Sequence, residues 1–86
     1  MDTKKFLDYC IKFVKEYTKE HFDKTEYVSE FDVFVVWNCK TLQNNKALLS
    51  TTLFDGMYYE ITYNGDKKEF YFDAYKKFEN RRISVE

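Results

Sequence analysis

The fold is decided by residues 46–75, which read KALLSTTLFDGMYYEITYNGDKKEFYFDAY. Apolar and polar residues alternate in three short runs, as expected for strands with one buried face. The runs are residues 46–53, 57–63 and 68–75. They are separated by Asp55-Gly56 and Asn64-Gly65, and each pair is a strong hairpin signal. This stretch therefore predicts an antiparallel meander of three strands.

The last hairpin can be checked for register. A three-residue loop would set Glu60 opposite Phe70 and mix the two faces, which the pleat disfavours. A two-residue loop, Asn64-Gly65, keeps the faces apart but sets Glu60 opposite Glu69. A four-residue loop, Asn64 to Lys67, sets Ile61 opposite Phe70 and avoids that pair of carboxylates. We therefore predict the four-residue loop. The predicted inner face then carries Ala47, Leu49, Thr51, Leu53, Met57, Tyr59, Ile61, Tyr63, Phe70, Phe72 and Ala74.

An earlier strand is predicted at residues 31–42, FDVFVVWNCKTL, followed by a turn at residues 43–45. β-Branched and aromatic residues dominate it. Alternation puts Val33, Val35, Trp37 and Cys39 on the inner face. It puts Phe34, Val36, Asn38 and Lys40 on the other. Because both faces are partly apolar, we expect a central strand.

An amphipathic helix is predicted at residues 3–21, with Asp2 or Thr3 as its cap. Its apolar stripe consists of Phe6, Leu7, Cys10, Ile11, Phe13, Val14, Tyr17 and His21. Residues 22–30 read as a loop that Phe22, Tyr27 and Val28 could pin to the core. Residues 76–86 are expected to form a turn and a short edge strand, returning Phe78, Ile83 and Val85 to the core.

The fold class that follows is α+β, in a single domain spanning residues 1–86. We expect the N-terminal amphipathic helix to pack on a four- to five-stranded antiparallel meander sheet. The helix should meet the sheet through Phe6, Cys10, Phe13, Val14 and Tyr17. The sheet should offer Val35, Trp37, Leu49, Ile61, Phe70 and Phe72. One helix covers only one face of a sheet, so the second face is expected to stay open.

Composition narrows the function. Aromatic residues make up 21% of the 86 residues, and the net charge is −1. A balanced charge argues against a dedicated nucleic-acid binder, which usually carries a basic surface. With no signal peptide recognised after Met1, Cys10 and Cys39 are interpreted as reduced, buried thiols. No apolar run approaches the length of a membrane span.

Catalytic and metal-binding signatures are not found. His21, the only histidine, is expected to cap carbonyls at the helix C-terminus. No close pair of ligands suggests zinc, and the two isolated glycines do not form a phosphate loop. The carboxylates Glu60, Glu69 and Asp73 read as solvated side chains of a sheet face. We therefore expect a protein that is not an enzyme and that has no cofactor and no metal.

The open sheet face is the candidate functional site. Its predicted interaction residues are Phe34, Val36, Lys40, Tyr58 and Tyr71. Tyrosine is favoured at protein interfaces, so we expect this face to bind a protein partner or a second copy in a homodimer. The competing expectation is that residues 22–30 or 76–86 fold over the face and complete the core.

A second function class rests on three basic doublets, Lys67-Lys68, Lys76-Lys77 and Arg81-Arg82. The last two lie near Tyr71, Tyr75 and Phe78, and aromatic residues beside basic ones can bind single-stranded nucleic acid. A solvated edge that prevents aggregation explains the same residues, and we favour it. A nucleic-acid-associated protein that uses this basic and aromatic edge is the alternative function.

The middle of the chain, residues 31–80, resembles a family of small uncharacterised proteins of phages and prophages of Gram-positive bacteria. The resemblance rests on VVWNCKTLQN (35–44), KALLSTT (46–52), DGMYYEITYNGDK (55–67) and DAYKKFEN (73–80). It implies a phage-encoded accessory protein in the host bacterial cytoplasm, with a host or phage protein as partner. It implies no activity and no site residues.

Overall fold

The computed structural model describes residues 1–21 and 30–85 and shows one helix on one sheet. The elements are α1 Thr3–Glu20, β1 Val33–Thr41, β2 Asn44–Thr51, β3 Met57–Asn64 and β4 Glu69–Lys76. The four strands form an antiparallel meander in the order β1-β2-β3-β4. The predicted α+β fold is confirmed with four strands. The loop predicted at residues 22–30, with its anchors Phe22, Tyr27 and Val28, lies outside the described residues except for Glu30.

Helix α1 begins and ends as the sequence indicates. The Asp2 carboxylate accepts a hydrogen bond of 2.8 Å from the Lys5 amide, which satisfies one unpaired donor of the first turn. At the other end, the His21 amide donates to the carbonyls of Tyr17 and Thr18. The buried residues of α1 are Phe6, Cys10, Val14 and Thr18, spaced four apart along one face.

A β-bulge at Val36 changes the faces of β1. Val35 pairs with Leu49, but the next paired residue, Trp37, lies opposite Leu48, so Val36 is an extra residue. Beyond it the alternation is inverted. The inner-face prediction is therefore wrong for Trp37 and Cys39, which lie on the open side. It is equally wrong for Asn38 and Lys40, which are aligned with Ala47 and Asn45 on the helix side. The strand is also an edge of the sheet, not a central strand.

The β3–β4 hairpin keeps an even loop but shifts its register. Tyr63 pairs with Phe70 and Ile61 pairs with Phe72, so the four-residue loop is Gly65 to Lys68. The prediction that an even loop keeps the faces apart is confirmed. The predicted Ile61–Phe70 pairing is wrong by two residues, and Lys68 takes a positive φ of 56° to close the turn.

The turn predicted at residues 43–45 lies one residue earlier. Thr41 pairs with Asn44, so Leu42 and Gln43 make the reversal. Asn45 is therefore a strand residue and is buried, and its side-chain amide has no hydrogen-bond partner among the described residues.

Two turns at one end of the sheet lie against each other. The Gln43 side chain donates to Asp66 at 2.7 Å, and the Gly65 amide donates to the Asn44 side chain at 3.0 Å. A Cβ at position 65 would clash with the Gln43 carbonyl oxygen. Glycine is therefore required at position 65 by close backbone approach.

The core lies between α1 and the inner face of the sheet. Its buried residues are Phe6, Cys10, Val14, Ala47, Leu49, Tyr59 and Ile61. Phe13, Tyr17, Val35, Phe70 and Phe72 pack against them and are partly buried. The predicted helix–sheet contacts are thus confirmed apart from Trp37. The backbone of α1 lies over β1, β2 and β3 and does not approach β4.

Residues 77–85, which we call the C-terminal tail, belong to no helix or strand and are exposed. They contain no turn and no strand, so the predicted return of Phe78, Ile83 and Val85 to the core is wrong. The backbone amide of Lys77 donates to the Gly56 carbonyl at 2.7 Å, which extends the β3–β4 ladder one residue past β4. The chain therefore leaves along the direction of β4 and does not fold back on its edge.

Candidate functional site

The side of the sheet opposite α1, which we call the open face, is organised in rows of facing residues. One row is Phe34, Ser50, Tyr58 and Tyr75. The next is Trp37, Leu48, Glu60 and Asp73. The third is Cys39, Lys46, Thr62 and Tyr71. Neighbouring side chains in a row lie close enough to act as one surface.

Four large aromatic side chains of the open face are accessible to solvent. Their exposed fractions are 46% for Phe34, 41% for Trp37, 43% for Tyr71 and 52% for Tyr75. Val36 at the bulge is 46% exposed. The C-terminal tail does not cover them. Exposed aromatic side chains gathered on one face of a sheet make that face a candidate interaction surface.

The open face also carries charges of both signs. Among the described residues, its carboxylates are Glu60, Glu69 and Asp73, and its ammonium groups are those of Lys46 and, at the end beside Phe34 and Tyr58, Lys77. The Lys46 Nζ lies 3.4 Å from Glu60 Oε1, which compensates for the Asp73 carboxylate in the position opposite Glu60. The Tyr71 hydroxyl donates to Glu69 Oε2 at 2.6 Å, and this hydrogen bond raises the pKa of Tyr71.

Most of the predicted site residues meet on this surface. Phe34, Tyr58 and Tyr71 lie in its rows, and Val36 lies at the bulge beside Trp37. Lys40 does not belong to the open face, because the bulge places it opposite Asn45 on the helix side.

The sequence analysis missed two aromatic residues of the surface. It placed Trp37 in the core, and it left Tyr75 out of the predicted site. The period-two pattern of β4 already put Tyr75 on the same side as Tyr71 and was sufficient to find it. The bulge that exposes Trp37 has no signal in the sequence, because both sides of β1 are apolar.

At its Phe34 end, the open face dips into a shallow depression of about 430 Å³. It extends across Ser50 and Tyr58 to the β2–β3 connection, where Gly56 has a φ of +69°. The Ser50 hydroxyl donates to the Met57 carbonyl at 2.8 Å, so it is occupied within the fold. The lining of the depression is mixed, with Phe34, Phe54 and Tyr58 beside Thr51, Asp55 and Lys77, and the Ser50 hydroxyl in it is not activated as a nucleophile.

The other reactive side chains are also structural. The His21 ring stacks on Tyr17, and its Nδ1 lies 2.9 Å from the Tyr17 carbonyl, which confirms the predicted capping role. In residues 1–21 and 30–85, no three potential metal ligands come together.

The two cysteines differ in environment. Cys10 is buried in the core, and burial raises the pKa of its thiol to about 12. Cys39 is exposed on the open face, so the prediction that both thiols are buried is wrong for Cys39. The two are separate free thiols on opposite sides of the sheet.

The basic doublets do not form a single patch. Lys67 and Lys68 lie in the turn before β4, while Lys76 and Lys77 lie at its other end. An eight-residue strand separates them by about 25 Å. Arg81 and Arg82 are farther along the C-terminal tail.

The described helix is not long and apolar enough to cross a membrane. The fold and the site thus define a small α+β protein that presents an exposed aromatic sheet face. A family model described as "Family of unknown function (DUF6275)" matches residues 7–85. The chain belongs to this family. No curated protein and no solved structure matches it.

Proposed function

We propose that this chain is a non-enzymatic accessory protein that acts by binding another protein through its open face. The observation that carries the proposal is the exposure of Phe34, Trp37, Tyr71 and Tyr75 on one side of the sheet. Rigid aromatic side chains on strands provide contact area at a small cost in conformational entropy, and they recur as the strongest contributors to protein interfaces.

The charge of the open face indicates the chemistry of its partner. Among the described residues of this face, three carboxylates lie among the aromatic residues, Lys46 pairs with one of them, and Lys77 lies at the Phe34 end. A partner surface with apolar and basic side chains complements this arrangement. The same carboxylates repel a phosphate backbone, so the open face favours a protein over a nucleic acid.

The source and setting are part of the same proposal. A phage or prophage origin, a host factor as partner and a location in the bacterial cytoplasm are supported by the resemblance of residues 31–80. They stay predictions, as does the alternative role in nucleic-acid association through the basic doublets.

A binding measurement tests the open face. A partner recovered from nuclease-treated host lysate is purified and titrated by calorimetry against the parent chain and the Tyr58→Ser/Tyr71→Ser variant. We expect the variant to bind at least about tenfold more weakly. Leu42→Ser is the matched control, because Leu42 is an exposed apolar residue in the β1–β2 turn, away from the rows of the open face.

The outcomes separate two alternatives. If the double variant binds like the parent, the partner uses another surface and the proposal is wrong. If the double variant loses its cooperative thermal transition, Tyr58 and Tyr71 belong to the core and the open face is not a binding site.

A further inference from the structure

The outer edge of β4 is regular and unpaired. β4 is the last strand of the sheet, and no described residue pairs with its outer side. β1, at the opposite edge, carries the bulge at Val36, and a bulge protects an edge from further pairing. β4 pairs with β3 without interruption from Glu69 to Lys76. Of the two edges, that of β4 is therefore the one suited to accept another strand.

The hydrogen bonds to β3 show which residues of β4 point outward. The Lys77 amide donates to the Gly56 carbonyl at 2.7 Å, as in a hydrogen-bonded pair of an antiparallel ladder. Such pairs alternate along the ladder, so the backbone groups of Tyr75 and Asp73 also point towards β3. The backbone groups of the intervening residues point to the free edge. These residues are Phe70, Phe72, Ala74, Lys76 and, one position past Lys77, Phe78.

These outward groups restrict how a second β4 can meet the edge. An antiparallel pair must join outward residues of one copy to outward residues of the other, which are the even-numbered ones in both. A two-fold axis normal to the sheet relates the copies, so both helices lie on one side of the joined sheet and both open faces on the other. The registers that remain differ in which residue lies opposite its own copy at the axis.

One register sets opposite charges in facing positions. With Tyr75 opposite its own copy at the axis, Asp73 lies opposite Lys77 and Glu69 lies opposite Arg81. Because of the two-fold symmetry, each pair occurs twice in the dimer. Facing pairs of opposite charge stabilise a sheet, so this register is self-complementary.

The neighbouring registers bring like charges together. An axis at residue 74 places Glu69 opposite Glu79, and an axis at residue 76 places Lys76 opposite its own copy. Axes at residues 73 and 77 place Asp73 and Lys77, respectively, opposite themselves. Like charges in directly facing positions are destabilising, which leaves the register with its axis at residue 75.

The same register gives Phe78 an apolar environment. This side chain is 99% exposed in the single chain, and along the direction of β4 it falls on the helix side, like Phe72. The register places the two opposite each other. Phe72 lines a groove of about 320 Å³ together with Phe13 and Tyr17. The groove exists because α1 lies over β1, β2 and β3 and does not approach β4, so there is room for a second copy.

We propose that two copies of this chain pair through β4 and the first residues of the C-terminal tail, antiparallel and with Tyr75 at the two-fold axis. The two four-stranded sheets become one continuous sheet. Phe78 of each copy fills the groove of the other, and Asp73 pairs with Lys77 across the interface. This interface uses the edge of the sheet, and it goes beyond the function proposed for the open face.

The oligomeric state of the full chain is the first test. We expect light scattering after size exclusion to give twice the chain mass of 10.6 kDa. Phe78→Ser should raise the dimer dissociation constant at least about tenfold, since each groove loses the ring that fills it. Leu42→Ser, in the exposed β1–β2 turn, should leave the constant unchanged. A parent chain that is monomeric at millimolar concentration overturns the proposal, as does a Phe78→Ser variant that dimerises like the parent.

A cysteine at the axis tests the register. A Cys39→Ser background removes the exposed native thiol. In this background Tyr75→Cys sets two thiols across a non-hydrogen-bonded pair, with Cα atoms about 4.5 Å apart, so mild oxidation should link the two chains. Asp73→Cys is the matched control, because its two copies lie at least about 13 Å apart along the strands and cannot bond. An unlinked Tyr75→Cys variant, or equal linking of both variants, contradicts the register.

A charge exchange shows which side chains meet. We expect Asp73→Lys and Lys77→Asp each to raise the dissociation constant at least about tenfold, because each creates two facing pairs of like charge. The double variant Asp73→Lys/Lys77→Asp should dimerise like the parent, and an equimolar mixture of the single variants should form a one-to-one heterodimer in native mass spectrometry. Both residues are exposed in the single chain, so the substitutions do not disturb the core. A double variant that dimerises no better than the single variants contradicts the pairing.

The open face is the alternative surface for association between copies. If Tyr58→Ser/Tyr71→Ser becomes monomeric while Phe78→Ser stays dimeric, the copies meet through the open face and the edge pairing is wrong. None of these measurements depends on the binding of another protein by the open face, so the two proposals fail separately.

Discussion

The two faces of this sheet have similar aromatic content and opposite environments. On the helix side, Leu49, Tyr59 and Ile61 are buried against α1. On the open side, Phe34, Trp37 and Tyr71 stay accessible. The difference arises from one amphipathic helix, which can cover only one face of a sheet. An apolar strand residue is therefore core or contact surface according to its side of the pleat, and hydrophobicity alone does not distinguish the two.

The largest contrast between the faces is expected in stability. Ile61→Ala removes a fully buried side chain beneath α1 and should lower the free energy of unfolding by about 2–5 kcal/mol. Chemical denaturation monitored by circular dichroism measures this change. The Leu42→Ser control, at an exposed turn, should change stability by only about 0.5 kcal/mol. Equal midpoints for Ile61→Ala and the parent would contradict the assignment of the covered face.

The reactivities of the two cysteines compare the solvent accessibility of the two faces within one molecule. At pH 8 a thiol reagent should label Cys39 at once, whereas Cys10 should react only through opening of the fold. Peptide mass spectrometry over time assigns the two rates.

The pKa of Cys10 adds a pH dependence. Folding raises the pKa of the Cys10 thiol from its usual 9.0 to about 12. The contribution of the neutral, buried thiol to the free energy of unfolding is therefore fully present below pH 9. That contribution is lost as the pH rises from 9 towards 12, and Cys10→Ser should weaken this alkaline loss. In the labelling experiment, immediate reaction of Cys10 in the native chain would contradict its burial in the core.

The smallest expected effect is on the quenching of the fluorescence of Trp37, the single tryptophan. Because the bulge turns Trp37 to the open face, acrylamide should quench its fluorescence in the native chain nearly as well as in urea. Phe34→Thr on the same strand, which leaves the bulge in place, should not reduce that quenching. A native emission that acrylamide leaves unaffected would place Trp37 under α1 and contradict the bulge.

Sequence patterns predicted β2, β3 and β4 well because each has one strongly apolar side. Their inner residues, from Ala47 to Phe72, lie where the alternation puts them. β1 was harder because it is apolar on both sides, so a one-residue insertion costs no clear loss of pattern. For that reason four of its side chains were assigned to the wrong face, and Lys40 was included in the site.

The register of the β3–β4 hairpin could not be predicted from the alternation of apolar and polar residues in its two strands. The even loop between β3 and β4 followed from the pleat, but avoiding facing carboxylates did not select the correct pairing. In the structure Glu60 does face another carboxylate, that of Asp73, and Lys46 from β2 offsets the repulsion. The third strand thus supplies a compensating charge that the β3–β4 hairpin does not contain. The path of the C-terminal tail could likewise not be predicted from its apolar residues, because Phe78, Ile83 and Val85 are exposed and do not return to the core.

The contact between the β1–β2 and β3–β4 turns links two loops that are distant in the chain. Gly65 lies against Gln43, and two side-chain hydrogen bonds join the pair of loops. A change in the length of either loop would disrupt this contact, so we expect variation in length to be concentrated in other loops. An inserted epitope tag or fluorophore peptide is better placed in the β2–β3 connection near Phe54, whose side chain is fully exposed.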